Sequence, residues 1–136
     1  MTRDDITALT HHWLEQRQIH DLDRSSPWLQ GMSQKSFAAD DYLVRVGDRD
    51  DSMYVLLSGL VRLFYTMPDG RERNKAIFRT GPVTGPVSAA MTSSPAPFSI
   101  KALEPVDTLV FSFHAMTQAA RENLSVARAS QKLLAE

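Results

Sequence analysis

From Thr80 to Ile100 the chain carries no Asp, Glu, Lys, Arg or His, although Asp, Glu, Lys and Arg make up 23% of the whole. What the stretch holds instead is Gly81, Pro82, Gly85, Pro86, Pro95, Pro97 and a series of Ser and Thr hydroxyls. Its chemistry is therefore neutral. Backbone amides and hydroxyls there can donate to a polar ligand, but no side chain can neutralise a buried charge or move a proton. Thr84-Gly85-Pro86 has the form of a helix N-cap followed by proline at the first helical position, which would aim the amides of Val87, Ser88 and Ala89 at whatever lies before them. A ligand pocket, if one exists, is expected among Arg79, Gly85, Pro86, Val87, Ser88, Ala89, Ala96, Pro97, Phe98 and Ser99. The competing expectation is a segment collapsed on its own Pro, Ala and Phe98 with no ligand at all.

Other chemistries find little support. His11, His12, His20 and His114 all fall outside the strand-rich middle of the chain, so no imidazole is placed there to serve a nucleophile or to join a convergent metal site. His114, at the start of a helical pattern, reads as a cap rather than as a haem ligand. Asp48, Asp50 and Asp51 lack the glycine and distal Glu of an EF-hand loop and read as a solvated turn. The absence of cysteine excludes disulfides, zinc-thiolate sites and thiol catalysis together. No enzyme activity, metal or cofactor is expected. A net charge of −1 supplies no basic field for nucleic acid or anionic lipid. No segment approaches the roughly 18 apolar residues of a membrane span, and no signal core follows Met1-Thr2-Arg3. With 136 residues, one cytoplasmic domain with a real core is expected.

The elements that must position the uncharged stretch are legible on either side of it. Ile6, Leu9, Trp13, Leu14 and Ile19 recur at helical spacing between about Asp4 and His20, with Ser25-Ser26-Pro27 as a break. Strand-like runs follow: Tyr42–Val46, Met53–Leu57, Leu60–Met67 and Glu72–Arg79, the last two joined by the hairpin turn Pro68-Asp69-Gly70-Arg71. After the stretch, Phe98–Leu103 and Thr108–Phe113 are expected to pair with each other. The fold class that results is α+β, mainly β: seven or eight antiparallel strands in a jelly-roll-like β-roll. An N-terminal helical segment (1–31), the roll (32–113) and a long C-terminal helix (114–136) divide the single domain. On that last helix Met116, Ala120, Asn123, Ala127, Ser130 and Leu134 form one stripe of mostly small residues, a candidate homodimer seam. Packing of the same stripe on the chain's own roll is the equal alternative. The stripe is still running at Glu136.

Taken in order, Tyr42-Leu43-Val44-Arg45-Val46-Gly47, the run Met53 to Leu63 punctuated by Gly59, and Ser99-Ile100-Lys101-Ala102-Leu103-Glu104 resemble the cyclic-nucleotide-binding domain. More narrowly, the pattern resembles the sensory half of a Crp/Fnr-type transcription regulator. The resemblance implies a double-stranded β-helix with a phosphate-binding cassette beginning Gly-Glu, whose Glu takes a ribose hydroxyl, and an Arg about ten residues later that pairs with the cyclic phosphate. Gly85 matches the cassette glycine; Pro86 stands where the Glu would be, and Ala96 or Pro97 falls near the Arg position. Losing a buried charged partner costs roughly 2 to 5 kcal/mol, about one and a half to three and a half decades in affinity, so cyclic AMP is not expected to bind. Arg79 is the candidate replacement cation. The partners implied are an unknown small effector or none, and a second copy of the chain. DNA would be contacted only through a helix-turn-helix domain that these residues do not contain. The alternative is a ligand-free interaction or dimerisation module on the same roll.

Overall fold

The computed structural model describes residues 2–20, 22, 25–79 and 83–134, so the expectations that touch Thr80, Gly81, Pro82 and the side chain of Leu134 lie outside the described residues. Helix α1 (Arg3–Gln16) starts with a reciprocal cap: Thr2 Oγ1 accepts from Asp5 N (3.1 Å) and Asp5 Oδ2 accepts from Thr2 N (2.9 Å). It stops at Gln16 rather than at His20, because Gln18 takes a φ of +59° and turns the chain so that Ile19 N reaches Leu14 O (3.0 Å). Ser26-Pro27 is more than a break. Pro27 opens a short helix, α2 (Pro27–Gln30), where its fixed φ suits the first turn. That turn seats Trp28 edge-on against Phe111, with ring centroids 5.6 Å apart.

Eight strands follow: β1 (Ser33–Phe37), β2 (Tyr42–Val44), β3 (Ser52–Ser58), β4 (Val61–Thr66), β5 (Glu72–Phe78), β6 (Val83–Thr84), β7 (Ser99–Ala102) and β8 (Val106–Ser112). They form two four-stranded sheets, ordered β1-β8-β3-β6 and β2-β7-β4-β5, with antiparallel pairing throughout. The β4–β5 hairpin turns as its sequence predicts, with Gly70 at φ +87° and Met67 N donating to Arg71 O (2.7 Å). The expected pairing of the last two strands is corrected: β7 lies between β2 and β4, whereas β8 lies between β1 and β3. The turn between them changes sheet instead of closing a hairpin. It packs on the equivalent turn after β3, where Leu103 N donates to Leu60 O (2.8 Å). Gly59 permits this contact; at its φ of +99° a Cβ would sit 2.5 Å from Pro105 O.

Two cores result. Between the sheets lie Phe37, Leu43, Tyr54, Leu56, Val61, Leu63, Phe98, Ile100 and Val106; on the outer side of the first sheet, the helices enclose Trp13, Trp28, Met53, Val55, Leu109, Phe111 and Met116. Strand β3 thus buries both faces, which is why Met53–Leu57 reads as a continuous apolar run rather than an alternating one. Tyr54 points into the roll and donates to Leu43 O (3.0 Å). Burial, helped by the Asp50 and Asp48 carboxylates, pushes its phenol up to about 12, so it stays a donor at any ordinary pH.

The expected long terminal helix is two helices, α4 (Phe113–Glu122) and α5 (Leu124–Leu134). Asn123 is extended (φ −143°, ψ 119°), and its Oδ1 accepts from Ser125 N (2.9 Å) and Val126 N (3.3 Å), ending one helix and capping the next. As a result α5 turns Val126, Ala129 and Leu133 into the helix-side core with Trp13 and Leu14.

Candidate functional site

A cavity of about 390 Å³ opens at one end of the inner core. One wall is β4 and β5, through Leu63, Tyr65, Lys75, Ala76 and Phe78; the other is the segment after β6, from Gly85 to Ala89, closed by Pro97 and Phe98. Val83 and Thr84 complete it. Of the residues that sequence nominates, Gly85, Pro86, Val87, Ser88, Ala89, Pro97 and Phe98 therefore share one cavity. The segment is held close to β3. At its φ of +156° a Cβ on Gly85 would lie 2.7 Å from Met53 Sδ and 3.2 Å from Ser52 O, so a side chain there would have to push Met53 aside and press on β3.

Three nominated residues stand elsewhere. Ala96 is 2% exposed, its N donating to Asp48 O (2.7 Å) and its O accepting from Gly47 N (2.8 Å). Ser99 Oγ accepts from Val46 N (3.0 Å). Both residues hold the turn after β2 and do not line the cavity. Arg79 points away: its side chain is 68% exposed and Nη1 lies 3.4 Å from Glu104 Oε1. It is not a replacement cation for the cavity, because the strand end that carries it faces solvent.

The expected helix cap is also revised. Thr84 belongs to β6, paired with Tyr54, and the cap position of α3 (Val87–Thr92) is Pro86, which has no side-chain hydrogen bond to give. The Val87 amide is taken by Gly85 O (3.0 Å). Proline after glycine sets up this tight turn at the expense of a donor.

Lys75 is the residue that sequence reasoning missed. Register along the hairpin runs Leu63↔Ala76 and then Phe64↔Asn74, so β5 carries one extra residue, Lys75, at a bulge. The bulge interrupts the strict alternation of faces and puts Lys75 and Ala76 together on the cavity wall. Its ammonium lies 4.9 Å from the centroid of Phe98 and 5.8 Å from that of Tyr65. Lys75 is an exposed residue at the cavity's rim whose ammonium reaches back over the rings; an alternation count assigns it wholly to solvent, and nothing in the local composition announces a bulge.

The proposed seam is not one face. Met116 is wholly buried in its own core, Ala120 is packed against the same cluster, Asn123 interrupts the helix and Ala127 is half-buried. A different cluster joins the roll to the terminal helices. Asp51 Oδ2 accepts from Ser112 Oγ (2.6 Å), His114 N (2.9 Å) and His114 Nδ1 (2.8 Å). Burial alone would raise the Asp51 carboxyl, but the bonds from Ser112 and His114 outweigh it and hold the group below its ordinary value of 3.8. His114 is thus tied to a carboxylate at a helix start. Among the described residues no group of three or more His, Asp or Glu gathers to hold a metal, and no helix is long and apolar enough to cross a membrane.

Comparison with known proteins agrees with this architecture. A family model described as the cyclic nucleotide-binding domain matches residues 34–123. The sensor domain of the transcriptional regulator DNR from Pseudomonas aeruginosa superposes with a TM-score of 0.78 at 18% identity, over 96% of this chain and 89% of that one. The N-terminal domain of a transcriptional regulator from Streptomyces coelicolor A3(2) does so with 0.65 at 28% identity, over 85% and 83%. The catabolite activator protein of Thermus thermophilus gives 0.69 at 24% identity, over 88% of this chain but 56% of its own length, so the present chain spans little more than half of that regulator. A search of curated proteins finds no match. These matches are to regulatory domains rather than to enzymes. The roll, the glycine-pinned cassette and the family match together establish that the chain belongs to the cyclic nucleotide-binding domain family, with Crp/Fnr-type transcription regulators among its structural neighbours.

Proposed function

We propose that this chain is the sensory domain of a Crp/Fnr-like transcription regulator, cytoplasmic and dimeric, that does not respond to ordinary cyclic AMP. The observation that carries the reading is a cavity beside Gly85 whose described lining holds no carboxylate and no guanidinium. Pro86 follows the cassette glycine where the resemblance puts a Glu for the ribose, and the residues near its phosphate-binding Arg are Ala96, buried beneath a turn, and Pro97, an uncharged part of the cavity wall. Lys75 is the single charged residue in the lining among the described residues, on the opposite wall. A lysine supplies a point charge and lacks the planar fork that receives two phosphate oxygens at once.

The cassette is placed to pass on a signal. Val87 and Ala89 line the cavity, while Ala90, the next residue of α3, sits in the helix-side core with Met116 of α4. A ligand that shifts α3 would therefore press on the terminal helices, which in this reading lead to DNA through a domain beyond these residues. The dimer contact is assigned to the outer side of those helices, since the inner side is occupied by the chain's own core. Thermal melts test the ligand statement. A binder present at about a thousand times its Kd stabilises by about 4 kcal/mol, so millimolar cyclic AMP or cyclic GMP should leave the Tm unmoved; a clear rise with either overturns the proposal.

A further inference from the structure

Resting on that reading of the cavity as an effector site, we infer that its ligand is a small apolar or aromatic carboxylic acid whose carboxylate is received by Lys75. Charge sets the first constraint. The described lining contains one cation and no carboxylate, so a single negative charge is balanced there and a second is not. None of the ion pairs among the described residues involves Lys75. Its ammonium rests on the faces of Phe98 and Tyr65, a contact that leaves its hydrogen-bond donors open to an incoming anion.

The body of the ligand follows from the walls. Leu63, Tyr65, Phe78, Val83, Val87 and Phe98 present aliphatic and aromatic surface, and Tyr65 meets Phe98 edge-on at 6.2 Å, an arrangement that a further ring can extend. A sugar would bury most of its hydroxyls against these apolar groups, with few side-chain hydroxyls, those of Tyr65, Thr84 and Ser88, in the lining to meet them. A phosphate monoester carries close to two charges and more acceptor oxygens than one ammonium can satisfy. At about 390 Å³ the space lies at the small end of ligand cavities, which run roughly 300 to 1,000 Å³. The bulge fixes the site of the cation: without the extra residue in β5, Lys75 would face away from the cavity.

The test is a two-dimensional amide NMR titration of the purified chain with phenylacetate, benzoate and hexanoate, each beside phenylacetamide as a neutral control. The acids should shift the amide signals of Lys75, Ser88 and Phe98 saturably in the millimolar range, and phenylacetamide should bind about tenfold more weakly. Lys75→Gln should bring phenylacetate down to the level of the amide, while Lys75→Arg keeps it. The inference is overturned if no acid shifts these signals, if phenylacetate and phenylacetamide bind alike to the unaltered protein, or if Lys75→Gln retains full affinity for the acids. Cyclic AMP run in the same series separates the two levels: its tight binding would sink the underlying reading, whereas silence from both it and the acids would sink this inference alone.

Discussion

Replacing Asp51 by Asn probes how the roll is joined to its terminal helices. The carboxylate collects three donors, Ser112 Oγ at 2.6 Å, His114 N at 2.9 Å and His114 Nδ1 at 2.8 Å, at the first turn of α4, where a negative charge also favours the helix dipole. Hydrogen bonds to a charged group contribute about 1.5–3 kcal/mol each when shielded. Asp51 is 23% exposed and His114 57% exposed, so water and salt recover much of that. Asn keeps one acceptor oxygen and loses the charge. The expected loss is about 1–2 kcal/mol at neutral pH, or a fall in Tm of about 4–8 °C for a domain of this size. The pH dependence has a definite sign. A carboxyl held below 3.8 in the folded chain contributes stability that is complete above that value and is lost as pH falls through the lowered one. Urea melts of the two proteins should therefore differ at neutral pH and draw together as pH falls below 3.8 and through the lowered value. Equal midpoints at neutral pH, or a gap that persists unchanged in acid, would refute the latch.

Further perturbations address the cassette and the helices. Gly85→Ala puts a methyl 2.7 Å from Met53 Sδ and 3.2 Å from a backbone oxygen, and should cost about 1–3 kcal/mol in a denaturant melt; unchanged stability would mean the cassette is not pinned to β3. Met116→Ala empties a fully buried site and should cost about 2–5 kcal/mol without changing the mass in solution; a folded variant that dissociates from dimer to monomer would return Met116 to the seam. Asn123→Ala removes the cap of α5 and should cost about 0.5–2 kcal/mol. A gain in both stability and helical circular dichroism would instead show that α4 and α5 prefer to fuse.

What could be read in advance depended on whether the controlling interaction is local. The hairpin at Asp69-Gly70 and the apolar runs are written in short spans of residues, and they appear in the structure where sequence puts them. Adjacency in sequence predicts a hairpin of β7 and β8, whereas the contact of Gly59 with Pro105 that sends them to different sheets belongs to two turns far apart in the chain. Asn123 did carry a signal, since Asn is a preferred N-cap, but the helical period of its neighbours concealed it. Lys75 carried none: a bulge exists only in the register between two strands. Arg79 lies next to the uncharged stretch in sequence, yet its side chain meets Glu104 in solvent.

The proposed indifference to cyclic nucleotides rests on a cavity whose described lining holds neither the carboxylate nor the guanidinium that would fasten one. Isothermal titration calorimetry with cyclic AMP is its most direct test. A titration without saturable heat at micromolar concentrations is the predicted result, and a stoichiometric isotherm with a micromolar or tighter Kd would contradict the account.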